Sequence, residues 1–500
     1  MQKVFLHIDL NSYFASAEQQ DNPSWRGKPV GVCEHLGGII IAASIEAKRW
    51  GITTGTPVWE ARKLYPKIIL TKTHPDRYRL YSDRLMKILH DYTAHVEQYS
   101  IDEAFLDVTQ VCNIKSQVRA VSGNNNGEQG YTRPEFEKLN PKMANPFLEA
   151  AAIAQIVKQR MKTEVGDWLQ CSVGIGENKL IAKIASDMQK PNGLVIVQPD
   201  LTTALSAHVL DSESDRLSPK AEELGQVEVL RLPQSDAVPG NDKASGLAQS
   251  LPSIYTKNDL YRMLRLTDIP GIGKRQEKRL NELGIRTLID LRDYPRQKLV
   301  ACFGIMGHHL HAMGQFESTW KPQAEQDHDI KSIGHMYTLP KEFREKKYFV
   351  PVLYKLSEMV SRRMRMQQLT GNVLHFHIHD KEHQCYGKSK KLGYSIQDGR
   401  EIFLESMRIF DAVLGRGVFP LGGFKLIGVT IAGLVEENGQ QSLFEKDQNQ
   451  KQVIQALDRI NEKYGDFTIC RVPVRVAGGI FRDSIGFGRI KEHVRLASFR

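Results

Sequence analysis

Two carboxylates stand side by side at Asp102-Glu103, and a third, Asp9, closes a short run near the start of the chain. Three acids gathered in one place repel one another and shift their own titration unless cations lie between them. Oxygen-only donors of this kind suit Mg²⁺ or Mn²⁺. Two such ions roughly 3.5–4 Å apart stabilise both the attacking and the leaving oxygen of an in-line phosphoryl displacement, and polymerisation is one such reaction. An acidic pair after a strand is also what an ordinary turn or helix cap contains, so on these residues alone both roles stand.

For the acids to meet, two elements must be placed. Val4-Phe5-Leu6-His7-Ile8 is a near-continuous apolar run, which suits a buried central strand with Asp9 at its end. Tyr99 to Val108 has strand character on both sides of the acidic pair. On a straight strand Asp102 and Glu103 point to opposite faces, so both reach one site only where the chain bends, and a hairpin tip is predicted there.

The bulk properties narrow the partners. A chain of 500 residues carries several cores, three to five modest domains rather than one. Its net charge of +10 favours a polyanionic partner, nucleic acid before an anionic membrane. Six scattered cysteines (33, 112, 171, 302, 385 and 470), with no C-x-x-C among them, point away from a disulfide framework or a zinc knuckle. Met1 leads into a charged residue and a strand without the apolar stretch of a signal peptide, and no run approaches a membrane span, so a soluble cytoplasmic protein is expected.

The motifs His7-Ile8-Asp9-Leu10-Asn11-Ser12-Tyr13-Phe14, Tyr99-Ser100-Ile101-Asp102-Glu103-Ala104 and Ser172-Val173-Gly174-Ile175-Gly176-Glu177-Asn178-Lys179 occur in the order and near the spacing of the Y-family, or translesion, DNA polymerases. The chain resembles the DinB, or polymerase IV, type over most of residues 1–434. That resemblance implies a multidomain α+β right-hand polymerase. Its parts would be a ferredoxin-like palm (1–10 and 75–200, with an insertion at about 111–145), small fingers (11–74) and an insertion or linker (201–255). A helix-hairpin-helix thumb (256–326), a β-α-β-β-α-β little finger (327–435) and a C-terminal extension (436–500) would follow.

The resemblance also assigns the site. Asp9, Asp102 and the Leu10 carbonyl would hold two Mg²⁺ ions, or Mn²⁺ in their place, and Glu103 would complete the metal site as a catalytic acid. Tyr13, Phe14, Lys48 and Lys190 would face the incoming deoxynucleoside triphosphate. Phe14 resembles the family's steric gate, since a bulky ring without a hydrogen-bonding group leaves no room for a ribose 2′-hydroxyl. The segment Gly37 to Gly51 resembles the part of the fingers that grips the triphosphate, but departs from the usual pattern: Ile45 stands where a Tyr is expected and Lys48 where an Arg is expected. Lys supplies a point charge rather than the planar fork of Arg. Lys190, in Asp187-Met188-Gln189-Lys190-Pro191-Asn192-Gly193, matches the palm's phosphate-facing lysine.

Downstream, Ile269-Pro270-Gly271-Ile272-Gly273-Lys274 opens a helix-hairpin-helix pattern, whose glycines let backbone N–H groups approach a DNA phosphate without reading bases. His308, His309 and His311 lie in one helical stretch, and His375, His377 and His379 alternate along one strand; with no carboxylate or Cys constellation beside them, both groups are read as solvated or DNA-facing. Residues 331–434 alternate as β-α-β-β-α-β, giving a four-stranded sheet with two helices on one face and the other face free. Eight Lys/Arg against three Glu between residues 341 and 365 predict a basic surface. Gln440, Leu443 and Phe444, in a polar setting, resemble the peptide that binds the bacterial sliding clamp.

The function expected is template-directed addition of deoxynucleotides to a primer 3′ end on primer-template DNA, by a monomer that copies damaged templates with low fidelity. Two other readings remain open: an inactive family member serving as a DNA- and clamp-binding scaffold, and a palm-type sheet used for another nucleotidyl reaction such as cyclisation.

Overall fold

The computed structural model describes residues 1–33, 38–113, 145–199, 252–317, 330–339, 343–382, 384–415, 423–437, 445–465 and 467–478. Most of both insertions lies outside these residues, as do Gln440, Leu443 and Phe444.

In chain order the strands are β1 (Phe5–Leu10), β2 (Val30–Cys33), β3 (Ile40–Ala43), β4 (Ile69–Thr71), β5 (Val96–Gln98), β6 (Glu103–Asp107), β7 (Cys171–Gly176), β8 (Leu194–Gln198), β9 (Ser253–Thr256), β10 (Ser332–Thr338), β11 (Leu369–Asp380), β12 (Cys385–Ile396) and β13 (Phe424–Glu436). They form three sheets, ordered β5-β6-β1-β7-β8-β9, β3-β2-β4 and β10-β13-β11-β12. In the first, β1 lies between β6 and β7, antiparallel to both, and the helices Pro75–His90 and Pro146–Arg160 connect the strands. The set β5-β6-β1-β7 is a ferredoxin-like core, to which β8 and β9 add as parallel strands. Ser253–Thr256 is therefore part of the palm sheet, which corrects the reading of 201–255 as wholly linker: this strand pairs with β8 through Ile196↔Ile254 and Val197↔Tyr255.

The apolar reading of the first run explains its place. Val4, Leu6 and Ile8 are fully buried, and hydrophobic burial on both faces is what a central strand requires. The helix Lys179–Met188 covers one face, and Gly174 permits it: a Cβ there would lie 2.1 Å from Ala182 O and 2.2 Å from Ser186 N. The other side of that helix (Leu180, Ile181, Ile184, Ala185) shares a core with the helical segment 257–316, through Leu260, Leu266, Leu280, Leu310 and Phe316. The third sheet has its own core with the helices Lys346–Met366 and Gly399–Leu414, as the β-α-β-β-α-β pattern predicts. None of the helices among the described residues is long and apolar enough to cross a membrane.

Because the helix sits directly on the strand at Gly174, Gly174→Ala is expected to destabilise the protein by about 2 kcal/mol or more, as overpacking against backbone does. The midpoint of urea unfolding, followed by circular dichroism, measures it; an unchanged midpoint would show that the helix can lift without loss.

Candidate active site

The predicted bend is present. β5 and β6 form a hairpin whose tip is residues 99–102, and the N–H groups of Tyr99 and Ser100 both donate to Glu103 O, at 3.0 and 3.1 Å. Tyr99 and Ile101 thus belong to the turn rather than to a strand. Leu10 N donates to Asp102 O at 2.8 Å, which ties the tip to the end of β1. In the β1–β6 register Asp9 is opposite Glu103, so their side chains rise from one face of the sheet.

That face is met by the helix Lys179–Met188 and the turn after it. Lys179, Lys183, Ser186, Asp187 and Lys190 recur at spacings of three and four, one stripe of a helix. Lys190 Nζ is 3.0 Å from Asp9 Oδ1 and 2.7 Å from Asp187 Oδ1. Lys183 pairs with Glu103 Oε2, and Lys179 pairs with Glu97 on β5. His7, in register with Phe105 and Gly174, is fully buried: its Nε2 is 3.2 Å from Glu103 Oε2 and its Nδ1 is 2.7 Å from Ser186 Oγ. Sequence reasoning passed over His7, Lys183 and Ser186; the helical spacing of lysines ahead of Lys190 was the signal that could have found Lys183.

The charges settle unevenly. Burial pushes the Asp9 carboxyl above the ordinary range, against the pull of Lys190, and burial likewise raises Asp102, against a hydrogen bond from Ser100. Burial acts upward on Glu103 too, but the His7 hydrogen bond and the Lys183 ammonium outweigh it and hold that carboxyl at about 2. Burial lowers His7. Among the described residues no three His, Cys, Asp or Glu side chains stand close enough to hold a metal ion as placed, since Glu103 is drawn to His7 and Lys183 and Asp9 to Lys190. The donors still fit one: Asp9 and Asp102 are hard oxygen ligands held as unfavourable anions, and the Lys190 ammonium supplies a cation beside Asp9.

Next to the acids, Ser12 turns the chain from β1 into the helix Tyr13–Asp21 with φ 49°, a left-handed conformation that a non-glycine residue holds at a cost. Phe14 is buried and stacks on Tyr78, ring centres 4.4 Å apart, and Tyr13 donates from its hydroxyl to Tyr78 O. Lys48 lies in the short helix Ile45–Arg49; burial lowers its ammonium first, then the charge of Lys190, while Asp9 pulls it back, so the three groups share one neighbourhood.

The thumb hairpin is formed as its glycines predict. Gly271 has φ 101°, Ile272 is buried, and Gly273 caps the helix Lys274–Glu282 with open space where a Cβ would be. In the third sheet His375, His377 and His379 do share the open face, with His377 between Gly387 and Gly428. Of the basic residues counted between 341 and 365, Lys355 and Arg365 do not form free basic surface. Lys355 is buried, and Arg365 pairs with Asp458 of the helix Glu445–Tyr464 at 2.6 Å, because this helix layer packs against the sheet and the C-terminal helices.

Three acids on a ferredoxin-like sheet, a lysine-bearing helix across from them, and a glycine-turned helical hairpin after the sheet are the layout of a right-hand nucleic-acid polymerase. Residues 8–187 match the impB/mucB/samB family, residues 330–443 its C-terminal domain, and residues 267–315 the thumb domain of DNA polymerase iota. DNA polymerase IV of Moorella thermoacetica is 30% identical over 482 residues, 95% of this chain and 97% of that protein. The DNA polymerase IV of Pelotomaculum thermopropionicum is 29% identical over 493 residues, 97% of this chain and 99% of that one. A solved Y-family DNA polymerase chimera, 22% identical, has the same fold, with a TM-score of 0.61 over 87% of this chain and 99% of its own. The chain belongs to the Y-family of DNA polymerases, polymerase IV type, and is a DNA-directed DNA polymerase of the translesion class. Members of this family depend on divalent metal ions.

The opposed shifts give stability changes of opposite sign. Asp102 is raised, so its charge at neutral pH works against folding, and Asp102→Asn should raise the melting midpoint of the chelator-treated protein. Glu103 is lowered to about 2 and its side chain is only 13% exposed, so its charge supports folding above about pH 4.5, an effect lost as pH falls toward 2. Glu103→Gln should therefore cost about 2 kcal/mol at pH 7 and about half as much at pH 3. Melting scans at the two pH values compare the three proteins; equal shifts for both variants would contradict the charge assignment.

Proposed function

We propose that this polymerase joins deoxynucleotides at the bend between β1 and the β5–β6 hairpin. Asp9, Asp102 and the Leu10 carbonyl would hold two Mg²⁺ ions, with Glu103 completing the site as an acid. The observation that carries this reading is the register of Asp9 against Glu103 together with the Leu10 N to Asp102 O bond of 2.8 Å, which brings all three acids to one end of one strand pair. The ions would lower the pKa of the primer 3′-hydroxyl and neutralise the charge of the departing pyrophosphate.

The chain's own residues do the rest. Lys190 and Lys48 take the triphosphate; on its arrival Lys190 exchanges a carboxylate partner for phosphate oxygens. Lys48, in place of an arginine, gives charge without a bidentate grip, and Ile45 adds no hydroxyl, so triphosphate affinity rests more heavily on Lys190. Tyr13 and Phe14 form the wall for the sugar; a ring already stacked on Tyr78 cannot swing away from a 2′-hydroxyl. Gly271, Gly273 and Lys274 take a phosphate of the primer-template duplex. Gln440, Leu443 and Phe444 would dock in a bacterial sliding clamp. The protein would act as a cytoplasmic monomer. Retention of all three acids supports catalysis over a scaffold role, and the thumb hairpin supports a primer-template over a free nucleotide as substrate.

Primer extension tests the assignment. Asp102→Ala should lower the rate by about 10²–10³ or more, the scale for removing one preorganised charge-stabilising group, with primer-template affinity nearly unchanged. Loss of DNA binding in parallel would make Asp102 structural instead. Phe14→Ala should admit ribonucleotides; unchanged sugar selectivity would remove the gate from Phe14.

A further inference from the structure

We infer that His7, locked from behind by Ser186, is a positioning residue that sets where the Glu103 carboxylate sits; the inference rests on Glu103 being a site acid. An imidazole in the middle of a central strand is unexpected on packing grounds, because Val4, Leu6 and Ile8 around it are wholly buried and an apolar residue would complete the run without burying a polar ring. Both ring nitrogens are engaged, Nδ1 to Ser186 Oγ at 2.7 Å and Nε2 to Glu103 Oε2 at 3.2 Å. With Nε2 donating to Glu103, Nδ1 accepts from the Ser186 hydroxyl, whose oxygen also lies 2.8 Å from Lys183 O, and the ring packs on Phe105 with centres 4.5 Å apart. The glycine opposite His7, Gly174, is what lets the helix come close enough for Ser186 to reach the ring.

Lys183 holds Glu103 as well, but a flexible ammonium supplies charge rather than direction. His7 and Lys183 both take Oε2, so Oε1 is engaged by neither and is the oxygen left for the reaction site. A rigid ring anchored at both ends fixes the carboxylate in the way that outer hydrogen-bond partners orient metal-binding side chains.

Three variants test this: His7→Phe, which keeps the ring and removes its nitrogens; His7→Gln, which restores a polar group; and Ser186→Ala, which removes only the lock. His7→Phe should lower kcat about 10- to 100-fold, with nucleotide KM and primer-template Kd unchanged. Mn²⁺ affinity of the protein–DNA complex, read by electron paramagnetic resonance, should fall with it. His7→Gln should recover part of both, and Ser186→Ala should shift both in the same direction by less. Wild-type kcat and Mn²⁺ affinity in a folded His7→Phe would overturn the inference. If His7→Phe does not fold, Ser186→Ala decides, and wild-type values there overturn it equally. Glu103→Ala separates the two levels: full activity in that variant sinks the assignment of Glu103 itself, whereas an inactive Glu103→Ala beside a fully active His7→Phe sinks only the positioning role.

Discussion

Three carboxylates crowded onto a buried sheet edge are the constraint to which the rest of the palm answers. Burial disfavours each anion, and each feels the charge of another, so the cluster exists only because positive groups are brought to the same face. Lys183 and Lys190 supply them from one helical stripe, and the energetic result is asymmetric: Glu103 is comfortable as an anion, Asp9 and Asp102 are not. That discomfort is the property a divalent cation would relieve, so a site that costs the folded chain stability is the same one proposed to draw metal and triphosphate together.

The helix Lys179–Met188 therefore does two things with two faces. Its polar stripe meets the acids, and its apolar stripe of Leu180, Ile181, Ile184 and Ala185 is part of the thumb's core. Asn178, which caps the helix by accepting from Ile181 N, also donates to Phe316 O at 2.9 Å, so the start of the helix is tied to the end of the thumb. The hairpin at Gly271 and Gly273, proposed above to take a duplex phosphate, is in this way linked through packed side chains to the lysines that set the charge around the acids.

Much of this was legible in the sequence, for identifiable reasons. A buried strand ending in Asp9 follows from an apolar run, and the bend at Asp102-Glu103 follows from the alternation of a strand, which cannot otherwise put adjacent acids in one place. The four-stranded third sheet follows from periodicity alone. The partners of the acids were not legible in the same way. His7 lies within a run that reads as core, and its role depends on Glu103 and Ser186, far away in sequence, arriving at its two nitrogens. Gly174 announces nothing by itself in the sequence, because a glycine's meaning is in what approaches it, here the backbone at Ala182 and Ser186. The strand Ser253–Thr256 was missed because a short edge strand after a long polar stretch has neither length nor alternation to announce it.

The little finger extends the argument from charge to shape. Counting lysines and arginines locates positive charge in the sequence but does not say how much of it is free, since some is spent on neighbours: Arg365 on Asp458, and Arg471 of the C-terminal segment on Glu358 and Asp398. The open sheet face instead carries three histidines, flat glycine positions at Gly387 and Gly428 and the lysine Lys391 in register with Val373. Among the described residues this face carries little fixed charge, so no dense charge pattern would tie a polyanion laid on it to one register. Positional tolerance of that kind would suit a polymerase of the translesion class: the acids impose one geometry where the bond is made, whereas a weakly charged face would impose little on DNA beside it.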